Sequence, residues 1–109
     1  MIEVLRYVSG SGEDVIGNWL IKLRDERTQA KITTRFLRLT AGNFGDCKSL
    51  GGGIGELRID WGPGYRIYYA MLSRTRVLLL CGGDKRSQNA DIRRARDYWK
   101  DYKRTSEDT

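Results

Sequence analysis

Residues 56–72, ELRIDWGPGYRIYYAML, constrain the fold more than any other part of the chain. In Glu56-Leu57-Arg58-Ile59-Asp60 polar and apolar side chains alternate strictly, the period-two mark of a strand with one buried face. Trp61-Gly62-Pro63-Gly64 supplies a turn, because glycine tolerates positive φ and proline presets its own. Tyr65 to Leu72 is the return strand. With a turn spanning Trp61 to Tyr65, Asp60 faces Arg66 and Arg58 faces Tyr68 across the pair. Glu56, Arg58, Asp60, Arg66 and Tyr68 then share one face, while Leu57, Ile59, Ile67 and Tyr69 fill the other. A chain carrying this hairpin has to build a sheet around it.

The flanking segments supply the rest of that sheet. Arg76 to Cys81 shows no polar alternation, so both its faces are expected to be covered and the strand to lie centrally, beside the N-terminal strand Ile2 to Val8. Gly82-Gly83 is read as its break. Ser87 can cap a final helix with Ile92, Ala95, Trp99 and Tyr102 inward and Arg93, Arg94, Arg96, Lys100 and Lys103 largely outward. After the first strand, Ser9 to Gly12 offers a serine cap, and Val15, Ile16, Trp19, Leu20 and Leu23 recur at helical spacing. Asp25 can cap a second helix, with Ile32, Phe36 and Leu39 inward and Arg27, Lys31, Arg35 and Arg38 forming a basic face. Gly42 to Asp46 ends it, and Asp46 to Gly53 reads as a polar, glycine-rich loop, its Gly51-Gly52-Gly53 run a flexible linker. The expected order is βααβββα. This is an α+β domain with a mainly antiparallel four-stranded sheet, an N-terminal αα-hairpin and a C-terminal helix, the helices packed on one side. Residues 1–104 form a single domain and 105–109 a polar, frayed tail.

Charge and composition narrow the chemistry. Twenty Lys and Arg against 14 Asp and Glu leave a net charge of +6, which favours a polyanionic or acidic partner. The chain has no histidine, which removes Ser-His-Asp triads and histidine acid–base pairs. Two isolated cysteines, Cys47 and Cys81, make no zinc site, and no carboxylate cluster suggests a two-metal nuclease. No cofactor and no metal are expected. The N-terminus lacks the features of a signal peptide and no apolar run reaches membrane-spanning length. A reduced, cytoplasmic protein without a membrane partner is the expectation.

Two constellations could carry function. On the polar face of the hairpin, Glu56 and Asp60 can pair with Arg58 and Arg66 as ordinary cross-strand ion pairs. The same arginines could instead clamp a phosphate, since guanidinium binds its oxygens bidentately at any working pH. Gly82 to Arg86 lies at a strand end just before a helix, where free amides with Lys85 and Arg86 suit an anion. The basic final helix is either a nucleic-acid surface or a solvated exterior.

Taken together, Gly42-Asn43-Phe44-Gly45-Asp46, Glu56-Leu57-Arg58-Ile59, Gly62-Pro63-Gly64-Tyr65-Arg66-Ile67-Tyr68-Tyr69, and Leu79 to Lys85 with Gln88, Asp91 and Ile92 resemble the RelE/ParE superfamily of bacterial toxins. The closer resemblance is to HigB-like, phage-derived addiction-module killer proteins, over Met1 to about Tyr102. The resemblance implies a toxin that stops growth, usually by cutting mRNA at the ribosome, and that is held inactive by an antitoxin encoded beside it. Arg66 matches the arginine that RelE-type ribonucleases place on the scissile phosphate, Arg58 a basic strand residue of that site, and Lys85 a second cation after the last strand. Glu56 departs from RelE, which has a basic residue there, and Asp91 stands near the place of RelE's tyrosine.

The candidate catalytic residues are therefore Arg66, Lys85, Arg58 and Glu56. Glu56, or less favourably Asp91, would take a proton from a ribose 2′-hydroxyl, and Lys85 would serve the leaving oxygen. Arg86, Lys48, Arg35, Tyr68 and Asp91 are the candidate nucleic-acid contacts. Expected partners are mRNA, the ribosome and a cognate antitoxin, implied to carry a helix-turn-helix. Three functions stay open: a metal-independent endoribonuclease, a ParE-like topoisomerase (gyrase) inhibitor that cuts nothing, and a non-toxic nucleic-acid-binding domain.

Overall fold

The computed structural model describes residues 1–107. Its elements run β1 (Glu3–Arg6), α1 (Val15–Lys22), α2 (Glu26–Thr40), β2 (Cys47–Gly51), β3 (Ile54–Ile59), β4 (Tyr65–Ser73), β5 (Arg76–Asp84), a 3-10 turn (Lys85–Ser87) and α3 (Gln88–Glu107). The α+β class and the αα-hairpin stand as expected. Among the described residues the sheet has five strands rather than four, in the order β1-β5-β4-β3-β2. Strands β2 to β5 form an antiparallel meander, and β1 lies parallel to β5 with Glu3 opposite Arg76.

The additional strand comes from the segment read as a glycine-rich loop. Lys48 pairs with Glu56 and Cys47 with Leu57. Gly51, Gly52 and Gly53 all have positive φ, at 82°, 65° and 84°. They form the hairpin turn between β2 and β3, which wants positive φ at its central residues and so favours glycine. Far from being a loose linker, this turn is clasped by α3: Arg96 donates to the carbonyls of Leu50 and Gly51, and Trp99 Nε1 to that of Gly52 at 3.2 Å.

The helices cover both faces of the sheet, not one. Ile16 of α1 and Ile32 and Leu39 of α2 pack on Leu57, Ile59, Ile67, Tyr69, Val77 and Leu79. Ala95 of α3 packs on the opposite face with Ile54, Tyr68, Ala70, Leu78, Leu80 and Cys81. This explains why β5 lacks alternation: it is buried between two helical layers. Asp14 rather than a serine caps α1, Asp25 caps α2 as expected, and Gly42 at φ 92° closes α2 while the N–H of Asn43 reaches back to Arg38 O at 2.8 Å, the pattern of a Schellman end.

Gly82 and Gly83 do not break β5, which runs on to Asp84. A Cβ at Gly82 would lie 2.4 Å from the Trp19 ring, and one at Gly83 would lie 1.7 Å from Asp91 Oδ2. Both glycines serve close approach from opposite faces, one of the recognised uses of glycine inside a strand. A bulge just upstream, where Tyr68 opposes Cys81 but Tyr69 opposes Leu79, switches the alternation so that Cys81 and Gly83 face α3. Helix α3 begins at Gln88 and continues through Glu107, so residues 105–107 of the expected frayed tail are helical; residues 108–109 lie outside the described part.

Candidate functional site

Except for Asp60, the polar face of the hairpin forms with the membership expected, in a different register. Arg58 pairs with Arg66 and Glu56 with Tyr68, while Ile59 and Tyr65 close the turn. A shift of two residues leaves each side chain on its original face, because the strand period is two. Asp60 leaves the strand and joins the turn. Two arginines directly opposite each other repel, and Glu56 is the counter-charge that makes the pair tenable. Its Oε1 accepts from Arg58 Nε at 3.0 Å and lies 3.7 Å from Arg66 Nε, while Gln88 Nε2 donates to its Oε2 at 2.9 Å.

Glu56 is completely buried. Burial alone raises a carboxyl pKa, but here the donors of Gln88 and Arg58, the nearby Tyr68 hydroxyl and the charge of Arg66 outweigh it and hold the group below the ordinary value,. Tyr68 is also fully buried, and burial followed by the neighbouring Glu56 carboxylate raises its phenol well above normal. Its hydroxyl stands close enough to favour the Glu56 charge, yet neither it nor Arg66 Nε completes a hydrogen bond of normal geometry among the described residues. Glu56 therefore anchors two guanidiniums from beneath and presents no surface to a substrate hydroxyl, contrary to the expected general-base role.

Above this buried layer, Arg58, Arg66 and Lys85 line one open depression of about 380 Å³, with Asp46, Asp60 and the Gly62-Pro63-Gly64 turn on its rim. Each cation arrives from a different direction: Arg58 from β3, Arg66 from β4, and Lys85 from the 3-10 turn that follows β5. Asp84 caps that turn, its carboxylate accepting the Arg86 N–H at 2.8 Å, so Lys85 is held at the lip. Arg66 keeps 14% of its side-chain surface and Arg58 36%. Glu56 restrains the inner Nε of each, and Arg66 Nη1 also donates to the Tyr65 carbonyl at 3.3 Å. Three cations lining one depression over a fixed carboxylate, with Asp46 and Asp60 beside them, have the chemistry to hold an anion,.

The expected nucleic-acid contacts divide. Lys48 and Arg86 are exposed, Lys48 beside Glu56 on the edge strand and Arg86 paired with Asp84 at 3.3 Å. Tyr68 is not a surface group at all, being enclosed by the packing of α3. Asp91 is likewise buried, accepting from Ser87 Oγ at 2.5 Å and Arg94 at 2.8 Å. It locks the start of α3 onto Gly83 and is not available to a ligand. Arg35 donates to the carbonyls of Arg58, Phe44 and Asp46, and burial lowers its pKa. Its guanidinium is spent on fastening the loop after α2 to β3.

Two site residues, Gln88 and Asp46, carry no assigned role in the sequence pattern, and a third, Asp60, is expected there as an ion-pair partner of the arginines. Gln88 reaches Glu56 across 32 residues of chain, a contact that no local pattern encodes. Asp46 and Asp60 are exposed carboxylates on the rim of the cation site. Both follow the end of a regular element, α2 through its glycine turn and β3 directly, and that placement was their available signal. Among the described residues no group of three potential metal ligands occurs, and no helix is long and apolar enough to cross a membrane.

No family model matches the chain. It is 53% identical over 79 residues to an uncharacterized protein of Haemophilus influenzae, the match covering 72% of this chain and 80% of that protein. The chain belongs to the family of that protein.

Proposed function

We propose that this protein is the toxin of a type II toxin–antitoxin pair and acts as a metal-independent endoribonuclease on mRNA, in the cytoplasm and at the ribosome. The observation that carries the reading is the convergence of Arg58, Arg66 and Lys85 on one depression; the resemblance to RelE/ParE toxins supports it. In this reaction the ribose 2′-oxygen forms a bond to the adjacent phosphorus and the P–O5′ bond breaks. The products are a 2′,3′-cyclic phosphate and a 5′-hydroxyl. Arg66 and Arg58 hold the phosphate and offset the extra charge of the pentacoordinate state. Lys85 gives its proton to the leaving 5′-oxygen. Since Glu56 is enclosed, Asp60 or Asp46 on the rim is the better acceptor for the 2′-hydroxyl proton, and Glu56 becomes a positioning residue.

A second reading is favoured by that same enclosure of Glu56. A cation site whose central carboxylate is buried and ion-paired could bind without cutting, as a ParE-like topoisomerase inhibitor would. Inducing the chain in cells separates the two. Loss of protein synthesis with shortened mRNA before any effect on DNA supports cleavage. Early DNA damage with intact mRNA sinks it.

A further inference from the structure

A second depression of about 440 Å³ abuts the cation site, and Asp60 lines both. Its rim carries Arg27, Lys31 and Arg38, all exposed on α2, and Ile59 and Trp61 contribute to its wall. The indole is fixed in place: its Nε1 donates to Thr28 Oγ1 at 3.0 Å, and that hydroxyl donates to the α2 cap, Asp25, at 2.8 Å. Lys31 Nζ sits over the ring, 4.9 Å from its centroid. Arg35 also lines this second depression and ties α2 to the carbonyl of Arg58, whose side chain lines the cation site, so the groove and the cation site keep a fixed spacing.

We propose that this groove receives the nucleotides of a single-stranded RNA that flank the phosphate held by Arg58, Arg66 and Lys85. The inference rests on reading that trio as a phosphate clamp. Two features of the groove favour a nucleic-acid strand. Its exposed cations Arg27, Lys31 and Arg38 lie one and then two turns apart along α2, which suits a backbone charged at every residue, and it offers a rigid aromatic surface that any base can stack on. The ammonium over Trp61 marks the face that a base would take, with Lys31 moving onto the adjacent phosphate. An acidic peptide would match the charge but would leave the aromatic surface without a planar partner.

The test compares a dinucleotide and an octanucleotide of the same sequence, each with a 2′-deoxy sugar at the cleavage position, titrated into the full chain and followed by NMR. The octanucleotide should bind about tenfold tighter or better, the size of one stacked base with its phosphate contacts. Lys31→Gln with Arg38→Gln should remove that advantage and flatten its salt dependence, leaving dinucleotide affinity unchanged. Both side chains are exposed, so the fold should tolerate their loss. Trp61→Phe should retain more of the advantage than Trp61→Leu. Equal affinity for the two lengths, an advantage that survives the double substitution, or preference of the groove for an acidic peptide over the octanucleotide would each overturn the inference. The clamp is scored separately: Arg66→Ala should abolish dinucleotide binding whatever the groove does.

Discussion

The carboxylate of Asp91 occupies the space that a side chain at residue 83 would need, with Oδ2 only 1.7 Å from where a Cβ on Gly83 would stand. Ser87, whose Oγ would itself lie 2.9 Å from that Cβ, and Arg94 both hold the carboxylate, so it has little freedom to withdraw. Gly83→Ala should cost about 1–3 kcal/mol, the usual range for overpacking a filled site. Urea denaturation provides the measurement. A variant as stable as the parent would show that α3 can shift without loss.

Glu56→Gln should alter stability and its dependence on acid. The folded carboxyl is held below its ordinary value near 4.5, so the unfolded chain takes up the proton first as pH falls. The resulting stabilisation is complete above about 4.5 and disappears as pH drops through the lower folded value. The glutamine variant should lose about 1.5–3 kcal/mol at neutral pH, the range for a hydrogen bond to a charged group. Its stability should also fall less steeply on acidification. Asp84 and Asp101, whose carboxyls are also held low, would supply the remaining slope. Parallel stability–pH curves for parent and variant would rule out this role for Glu56.

Arg66→Ala should abolish growth inhibition and weaken the fold as well. With only 14% of its side chain exposed and Glu56 at 3.7 Å, this arginine is not a free surface group. A loss of about 1–3 kcal/mol is expected, because a buried carboxylate loses one of its partners. Circular dichroism and melting establish whether the variant remains folded at the growth temperature. Full toxicity from a folded variant at equal expression removes Arg66 from the site.

Cleavage of free RNA by the purified chain, without ribosomes, whose own assembly needs magnesium, should persist in excess EDTA and yield cyclic phosphate and 5′-hydroxyl ends. The charges the reaction needs are already supplied by arginine and lysine side chains. Activity that vanishes with the chelator and returns with magnesium contradicts the proposed chemistry.

A small protein encoded beside this one should co-purify with it and rescue growth. Its association rate should fall as salt rises, because the exposed cations of α2 and of the Arg58–Arg66–Lys85 depression steer an acidic partner. Tagged co-expression of the two reading frames tests this. A neighbour that neither binds nor rescues removes the main support for the toxin–antitoxin reading.

Much of this architecture could be read from local pattern. The alternation in residues 56–60 and 65–69 set the two faces correctly even though the register was off by two, because faces repeat with that period. The cap at Asp25 and the burial of Cys81, whose thiol burial pushes up to about 12, were legible for the same local reasons. What escaped was long-range. Strand β2 has little apolar content, and its turn glycines look like a linker until α3 is seen to clasp them. Gly82 and Gly83 read as breakers until Trp19 and Asp91 are seen against them. In the site, the types of charge were evident but not their exposure. Glu56, Tyr68 and Asp91 are polar residues that α3 encloses, and Arg35 is bonded to carbonyls brought close only by the fold.

Glu3 and Arg76 face each other across β1 and β5 and share an ion pair at 2.9 Å although 73 residues separate them in sequence. Every other strand pairing in the sheet joins neighbours in the chain. During synthesis the hairpins of β2 to β5 can zip as they emerge, whereas β1, made first, must wait for β5. The cation site matures on the same schedule, since Lys85 and Gln88 follow β5 directly. A nascent chain thus stays without its clamp until β5 and the turn that follows it have left the exit tunnel, long after the β2–β3 hairpin has had the chance to close.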